Sequence, residues 1–462
     1  MSVADALRAG LQSGSLEALG ECYADDAILD VNVRGGRERV AGPAAIVARL
    51  EGLFPGPGRL VEWTVALHDA GIAVWLERVS DADGTAVRQR QYLLLRDGRV
   101  SRHYAYVAPH RTGVAGAGGR PALDPALISG LGDIAEHTVL VSRGWSGNAL
   151  ERVVLTDGRV LIAKRIVPGA DWLGRASADP GREGLLFTGG VLDRLPPTVD
   201  HAMVAAARDG EAWWLVMRDV SDELLDERSV LPREANRRLL AAVNEMWEGF
   251  WGERVECLTA QTTRLQATAP LHARRERDGI DLLPKQFEVM WEVFAEAVDP
   301  DVASVVLALV DDPAPLAAAL DAHGTTLLHG DIRDEQIGLA GRRLILLDWG
   351  IATQGHPVVD YAWHLMHCAW RIDATHDQLW DDFRAARGEH DDPRAVELGM
   401  IAGLVMYGWI LGHSAVIHPD PAERAWARAE LDWWVPHARH ALENWTPPPI
   451  VPSGSSAVAR RP

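Results

Sequence analysis

Residues 329–350 leave little freedom of fold. Ile337-Gly-Leu339 and Leu344-Ile-Leu-Leu347 are short apolar runs around the small-residue turn Ala340-Gly-Arg342, the pattern of a β-hairpin. Folding back at Gly341–Arg342 sets Gln336 beside the strand end that carries Leu347 and Asp348. Directly paired antiparallel positions lie about 5 Å apart. An amide oxygen and a carboxylate therefore converge at one end of the hairpin, with Asp331 of His329-Gly-Asp331 just before it. Mg²⁺ prefers hard oxygen donors, keeps several waters and shares substrate phosphates, so it needs few protein groups. Either aspartate alone reads as an ordinary solvated turn residue.

The second constraint is a lysine. Only two of the 46 basic side chains are Lys, and one, Lys164, lies inside the apolar run Val160-Leu-Ile-Ala-Lys-Arg-Ile-Val167. A compact ammonium on a flexible stem reaches a phosphate from within a fold where a planar guanidinium does not fit. A lone strand lysine is more simply a surface residue. The ordered set Lys164, Asp331, Gln336 and Asp348 outweighs that reading.

These segments resemble the aminoglycoside phosphotransferase/choline kinase-like family, a relative of the protein-kinase fold. The family carries a His-Gly-Asp loop with Asn five residues after the Asp, then an Asp at a hairpin end. This sequence has His329-Gly-Asp331, Gln336 at the Asn place, and Asp348-Trp-Gly350. The resemblance implies ATP and Mg²⁺ as cofactors and a bilobal domain over residues 123–445. Its small lobe would be strand-rich to about Asp219 and its large lobe mostly helical. Asp331 would orient or deprotonate an acceptor hydroxyl, Asp348 and Gln336 would hold Mg²⁺, and Lys164 would contact the α/β-phosphates. The carboxylate partner of Lys164 would be Glu183, although Gly189-Gly190 interrupt the helix it should sit on. Ser146, Gly147 and Asn148, ahead of the Lys164 strand, are candidates to cradle phosphates through backbone N–H groups. No G-x-G-x-x-G is present. Trp213–Asp219 resembles the strand leading to an adenine-binding hinge, and Asp360 matches a position that buttresses the catalytic loop.

Gln336 is the departure. It adds a methylene while keeping the same donor and acceptor groups, which leaves open an active, an altered or a silent kinase. Asp334 and Glu335 add two carboxylates nearby.

The first 110 residues read as a separate unit. Val3–Leu11, Leu16–Tyr23 and Gly42–Phe54 have helical patterns, the last with Pro43 in its first turn. Strand-like runs follow at Leu60–His68, Gly71–Ser80, Ala86–Arg96 and Arg99–Val107, divided by Asp/Gly turns. Helices followed by a strand meander predict an α+β cone in which a curved sheet wraps a helix. Tyr23–Asp30, the Gly42–Phe54 helix and Asp97–Tyr106 resemble the nuclear transport factor 2-like/SnoaL-like superfamily, which specifies a fold and not an activity. Related folds often pair through the sheet face, so a homodimer through this unit is expected. Asp30, His68 and His103 are candidate pocket acids or bases, with structural or solvated roles the simpler reading.

Residues 111–122, rich in glycine, read as a flexible linker, and 446–462 as a disordered tail. The formal charge of −19 argues against nucleic acid or an anionic membrane as partner. Cys22, Cys257 and Cys368 form no pairing framework and fit a reducing cytoplasm. Leu398–Ile417 is apolar enough to span a bilayer, but its four glycines and its place after the kinase-like segments point to a buried core helix. His364, His367 and Cys368 read as core packing before a soft-metal site.

The whole is expected to be α+β. The leading function is ATP-dependent phosphorylation of a small-molecule hydroxyl. The alternatives are a catalytically silent nucleotide sensor on the same fold, and a cyclase or isomerase in the first 110 residues. An aminoglycoside, another amino sugar, a nucleoside antibiotic and a choline-like compound all fit as acceptor.

Overall fold

The computed structural model describes residues 2–33, 35–110, 123–128, 130–140, 149–226, 229–445 and 447. The expected linker at 111–122, the phosphate-loop candidates Ser146, Gly147 and Asn148, and the tail from 448 onward lie outside these residues.

The first unit opens with α1 (Val3–Ser13), started where the Ser2 hydroxyl accepts from the Asp5 backbone N–H, then α2 (Glu17–Gly20). The helix expected to reach Tyr23 stops at Gly20, because Tyr23 opens a strand. From Ala27 the apolar residues Ala27, Leu29, Val31 and Val33 alternate and are buried, a period of two that a helix cannot keep on one face. β1 (Tyr23–Val33) and β2 (Gly36–Ala41) precede α3 (Pro43–Leu53). β3 (Gly58–His68), β4 (Gly71–Ser80), β5 (Ala86–Arg96) and β6 (Arg99–His110) form the meander. The sheet order is β2-β1-β6-β5-β4-β3, with β1 and β6 parallel.

The helices cover one face, where Leu7, Leu11, Leu29, Val31, Ile46, Leu50 and Leu93 share a core. The other face carries Ala73, Tyr92, Tyr104 and Tyr106, which pack on Val289, Val293 and Ile417 of the later chain. Asn32 Nδ2 donates to Lys285 O at 2.5 Å, and Arg37 pairs with Glu292. The chain's own large lobe thus covers these residues of the sheet face through which a homodimer is expected.

The small lobe holds β7 (Ile134–Leu140), β8 (Ala149–Leu155), β9 (Val160–Ile166), α4 (Trp172–Ala176), α5 (Arg182–Thr188), β10 (Val199–Asp200), β11 (Met203–Asp209) and β12 (Ala212–Arg218). Its antiparallel sheet runs β11-β12-β9-β8-β7. The large lobe begins with β13 (Leu231–Pro232), α6 (Arg233–Gly249), β14 (Thr259–Ala260), α7 (Gln261–Leu265), α8 (Pro270–Arg275), α9 (Phe287–Ala297), α10 (Pro300–Asp311) and α11 (Ala314–Asp321). β15 (Thr326–Leu328), β16 (Ile337–Ala340), β17 (Arg343–Leu346) and β18 (Thr353–Gly355) frame the loop segments. α12 (Pro357–Cys368), β19 (Ile372–Asp373), α13 (His376–Arg387), α14 (Pro393–Val416) and α15 (Pro421–Asn444) complete it.

α14 is apolar on all sides because all sides are covered: it packs against α9, α10, α12 and α15. It is the one helix among the described residues long and apolar enough by itself to cross a membrane, and 89% of its most apolar window is buried within the fold. A Cβ at Gly412 would lie 2.4 Å from the Phe294 backbone, and one at Gly403 2.7 Å from the Trp434 ring. Two of its glycines therefore serve close packing.

Candidate active site

Alternation along β9 turns Leu161 and Ala163 toward one small core. It turns Ile162, Lys164 and Ile166 to the opposite face, where α5 lies. α5 can approach because Gly184 has no side chain: a Cβ there would sit 2.5 Å from the Trp213 ring on β12. Asp179 starts the helix by accepting from the Gly181 and Arg182 backbone N–H groups at 3.0 and 2.7 Å. The glycine pair that weakened the expectation for Glu183 ends α5 after seven residues, but Glu183 stands in the first turn and is unaffected. Its carboxylate lies 3.3 Å from Lys164 Nζ.

The hairpin closes in the register its sequence implies. Ile337 faces Leu346, and Leu347 N–H donates to Gln336 O at 2.9 Å. Asp348 follows in a left-handed conformation, φ 67° and ψ 69°, which costs a non-glycine residue about 1–3 kcal/mol. Lys164 Nζ donates to Asp348 Oδ1 at 2.8 Å. One ammonium thus bridges a buried and a more accessible carboxylate, Glu183 and Asp348, whose side chains are 1% and 42% exposed.

The electrostatics follow from that asymmetry. Burial disfavours the Lys164 charge, but Asp348 and then Glu183 outweigh it, and its pKa is raised. Burial pushes Asp348 up, yet the closer contact with Lys164, helped by Arg333, holds it below the usual carboxylate range. Glu183 goes the other way: burial dominates over its longer bond to Lys164 and raises its pKa. Of the two, Asp348 is the more acidic carboxylate.

Asp331 is held from several sides. Gly330 adopts φ 85°, and a Cβ there would meet Ile351 O at 2.2 Å, so the loop needs glycine. The Asp360 carboxylate accepts from His329 N–H at 2.9 Å and Gly330 N–H at 2.8 Å. It is fully buried, and burial raises its pKa to about 6. Arg264 Nε donates to Gly330 O at 2.7 Å. His329 is buried against Trp349 (ring centroids 4.6 Å apart) and kept neutral by burial, its pKa near 4. Asp331 Oδ1 accepts from Trp363 Nε1 at 2.8 Å, and Oδ2 from Arg333 Nε at 3.1 Å.

The sequence reading passed over Trp363, Arg333 and Arg264. The spacing of Asp360 and Trp363, three residues apart on one helix, is the signal that could have found Trp363. His364 bonds Asn236 Oδ1 at 2.9 Å in the core, and Cys368 is buried, so these two serve packing. His367 instead lies beside Trp363, with ring centroids 4.1 Å apart.

Among the described residues no group of three or more His, Cys, Asp or Glu could hold a metal. Asp348 and the amide of Gln336, whose side chain has no hydrogen bond among the described residues, are the two groups that could hold a divalent ion. Two hard oxygens fit Mg²⁺ when phosphates and water complete the shell. The first-unit candidates are engaged elsewhere. Asp30 is buried on the outer sheet face and paired with Arg37 and Arg39. His68 faces Asp420 at 3.6 Å. His103 bonds the Tyr23 hydroxyl at 2.6 Å and Gln91 at 2.8 Å, and burial holds it neutral with a pKa near 3.

No family model matches this chain, and no curated protein matches it. Several solved structures are similar to part of it. An aminoglycoside phosphotransferase from Alicyclobacillus acidocaldarius is 16% identical over 72% of this chain and 97% of its own, at a TM-score of 0.43. A choline kinase from Streptococcus pneumoniae is 13% identical over 70% and 98%, at 0.38. An aminoglycoside phosphotransferase from Streptomyces rimosus, in complex with ADP and streptomycin, is 15% identical over 61% and 96%, at 0.37.

Proposed function

We propose that residues 123–445 form an ATP-dependent phosphotransferase acting on a hydroxyl of a small molecule. The observation that carries this reading is Lys164 bridging Glu183 and Asp348. A buried ammonium held between one fixed and one accessible carboxylate is an arrangement made for a phosphate and its metal. MgATP, when bound, supplies the γ-phosphoryl group and neutralises charge during its transfer. Asp348 and Gln336 would hold the metal, and Lys164, kept in place by Glu183, would donate to the phosphates. β12, buried along Ala212–Met217, would back the adenine.

Asp331 does the positional work on the acceptor. With Trp363 and Arg333 donating to its two oxygens, it is a fixed carboxylate that orients the acceptor O–H and draws off its proton as the O–P bond forms. The bond to ADP breaks in the same event, and the proton passes from Asp331 to water.

We infer further that residues 1–110 are a nuclear transport factor 2-like/SnoaL-like cone, supported by its six-strand order with three helices on one face. Both ring nitrogens of His103 are committed to neighbours, which favours a supporting role over cyclase or isomerase chemistry there. The three free cysteines support a cytoplasmic setting.

The test is a pair of substitutions in the full chain. Asp331→Asn should leave MgATP affinity nearly unchanged and lower phosphoryl transfer by at least ~10²-fold. Asp348→Asn should weaken MgATP binding itself. No nucleotide binding by calorimetry at millimolar MgATP would overturn the reading, parental turnover by Asp331→Asn would overturn the role given to Asp331, and nucleotide binding with no phosphoryl transfer by the parent would leave the silent sensor.

A further inference from the structure

One face at the end of α12 is not explained by phosphate chemistry. Trp363 and His367 lie one turn apart on the helix, and Trp370 follows in the closing turn, its Nε1 donating to His367 O at 2.7 Å. At one end of this stripe Trp363 bonds Asp331. At the other, Arg371 bonds Asp334 at 3.2 Å. The stripe thus runs alongside the loop 331–334. Trp370 is 52% exposed, the one aromatic among the large exposed apolar side chains of the described residues.

His367 is arranged as a hydrogen-bond acceptor. Its Nδ1 lies 3.0 Å from Trp363 O, so the proton belongs on Nδ1 and the lone pair on Nε2. That tautomer is assigned from the bonding pattern. No partner for Nε2 is recorded among the described residues. The ring packs between Trp363 and Tyr407, at 4.1 and 4.4 Å. Burial drops its pKa to about 3, so it is neutral at pH 7.

Charge along the loop points the same way. Asp331 and Glu335 both pair with Arg333, and Asp334 pairs with Arg371, whose side chain is 1% exposed. Each carboxylate of the loop already has a guanidinium. A polycation would find each carboxylate of this loop already paired, whereas a ring with hydroxyls would find the exposed part of Trp370, over whose ring Arg371 already lies at 5.7 Å, and a neutral acceptor nitrogen.

We propose that His367 and Trp370 form the acceptor subsite beside Asp331, and that it takes an uncharged ring-bearing alcohol, such as a glycoside, rather than a polycationic amino sugar. This rests on the phosphotransferase reading and specifies its substrate class. His367 Nε2 would accept from one ring hydroxyl while Asp331 orients the hydroxyl to be phosphorylated, and Trp370 would lie against the ring.

The full chain with Mg²⁺ and a non-hydrolysable ATP analogue is the sample. Calorimetry of the analogue tests the phosphotransferase reading by itself. Saturation-transfer NMR then compares phenyl β-glucoside with streptomycin. The glucoside should receive saturation and streptomycin none. Trp370→Ala, at an exposed site, should fold normally, keep nucleotide affinity and weaken the glucoside by roughly 3- to 10-fold. His367→Phe should weaken it similarly, and His367→Gln, which keeps an acceptor, should restore it in part. Saturation of streptomycin, no contact with the glucoside, or an unchanged glucoside signal in Trp370→Ala would each overturn the proposal, even where the nucleotide analogue binds.

Discussion

Asp360→Asn tests how the catalytic loop is held. The wild-type carboxylate accepts two backbone N–H groups at 2.9 and 2.8 Å from within the core. An amide offers one acceptor oxygen, so one N–H must face an NH₂ group, and leaving a buried donor unpaired costs about 1–3 kcal/mol. Against this stands the cost of the buried charge. A carboxyl raised from 3.8 to about 6 loses about 3 kcal/mol of stability once ionised. The sign is definite: the folded state keeps its proton longer than the unfolded chain, so this group's contribution is full below pH 3.8 and falls as pH rises through about 6. About 1.4 kcal/mol of that fall lies between pH 5 and 8. The stability advantage of wild type over Asp360→Asn, from urea unfolding followed by tryptophan fluorescence, should shrink by that amount across the same interval. Phosphoryl transfer should move oppositely in wild type, falling below pH 6 as the carboxylate that holds His329 and Gly330 gains a proton. In Asp360→Asn it should be low throughout, on the order of 10²-fold down, because Asp331 is no longer fixed. A stability gap independent of pH would refute the argument that a buried, ionised Asp360 holds the loop.

Gly184→Ala puts a Cβ 2.5 Å from the Trp213 ring, so it should cost about 1–3 kcal/mol by thermal unfolding and weaken MgATP binding by displacing Glu183; parental behaviour in both would show that α5 has slack. His329 and His364 are buried neutral with pKa near 4. Their stabilisation, present above 6.5, should be lost as pH falls toward 4, at up to about 3 kcal/mol each, and His364→Leu should flatten the acid limb of a stability profile. A fragment of residues 1–110 keeps the core beneath its helices but bares Ala73, Tyr92, Tyr104 and Tyr106. It should fold by circular dichroism yet self-associate on sizing, and a strictly monomeric fragment would count against that face needing cover.

The hairpin was legible because a two-residue period and a glycine turn leave one register, and Gln336 fell opposite Leu347 as the spacing requires. Glu183 was reached as the partner of Lys164 only through the family resemblance, because nothing in Pro180–Phe187 itself says which strand that helix packs on. What escaped shares one cause. Alternation shows that a strand has two faces, and helical spacing that a helix has a face, but neither says what covers them. Tyr92, Tyr104 and Tyr106 therefore read as ordinary strand residues until α9 lay across them. His367 read as core and Trp363 was passed over for the same reason, although Trp363 bonds Asp331 and His367 packs beside it. β1 was lost to a competing local pattern: Leu16 and Leu19 extend a helical spacing toward Tyr23 before the alternation from Ala27 takes over.

α9 ties these parts together through its two sides. Its Phe287 receives the edge of Trp172, with ring centroids 5.3 Å apart, from the segment between Lys164 and Glu183, and packs on Trp409 of α14 at 5.0 Å. Arg175, in the same segment, bonds Glu276 at 2.8 Å and Asp281 at 2.7 Å. The small lobe is thus strapped to the large lobe just ahead of the residue that orients Lys164. The opposite side of α9 offers Val289 and Val293 to the first unit's sheet. That unit binds where the strap is anchored. Any influence it has on the phosphate-binding residues must therefore pass through the placement of α9 and Phe287, the shared element between the docked sheet and Trp172.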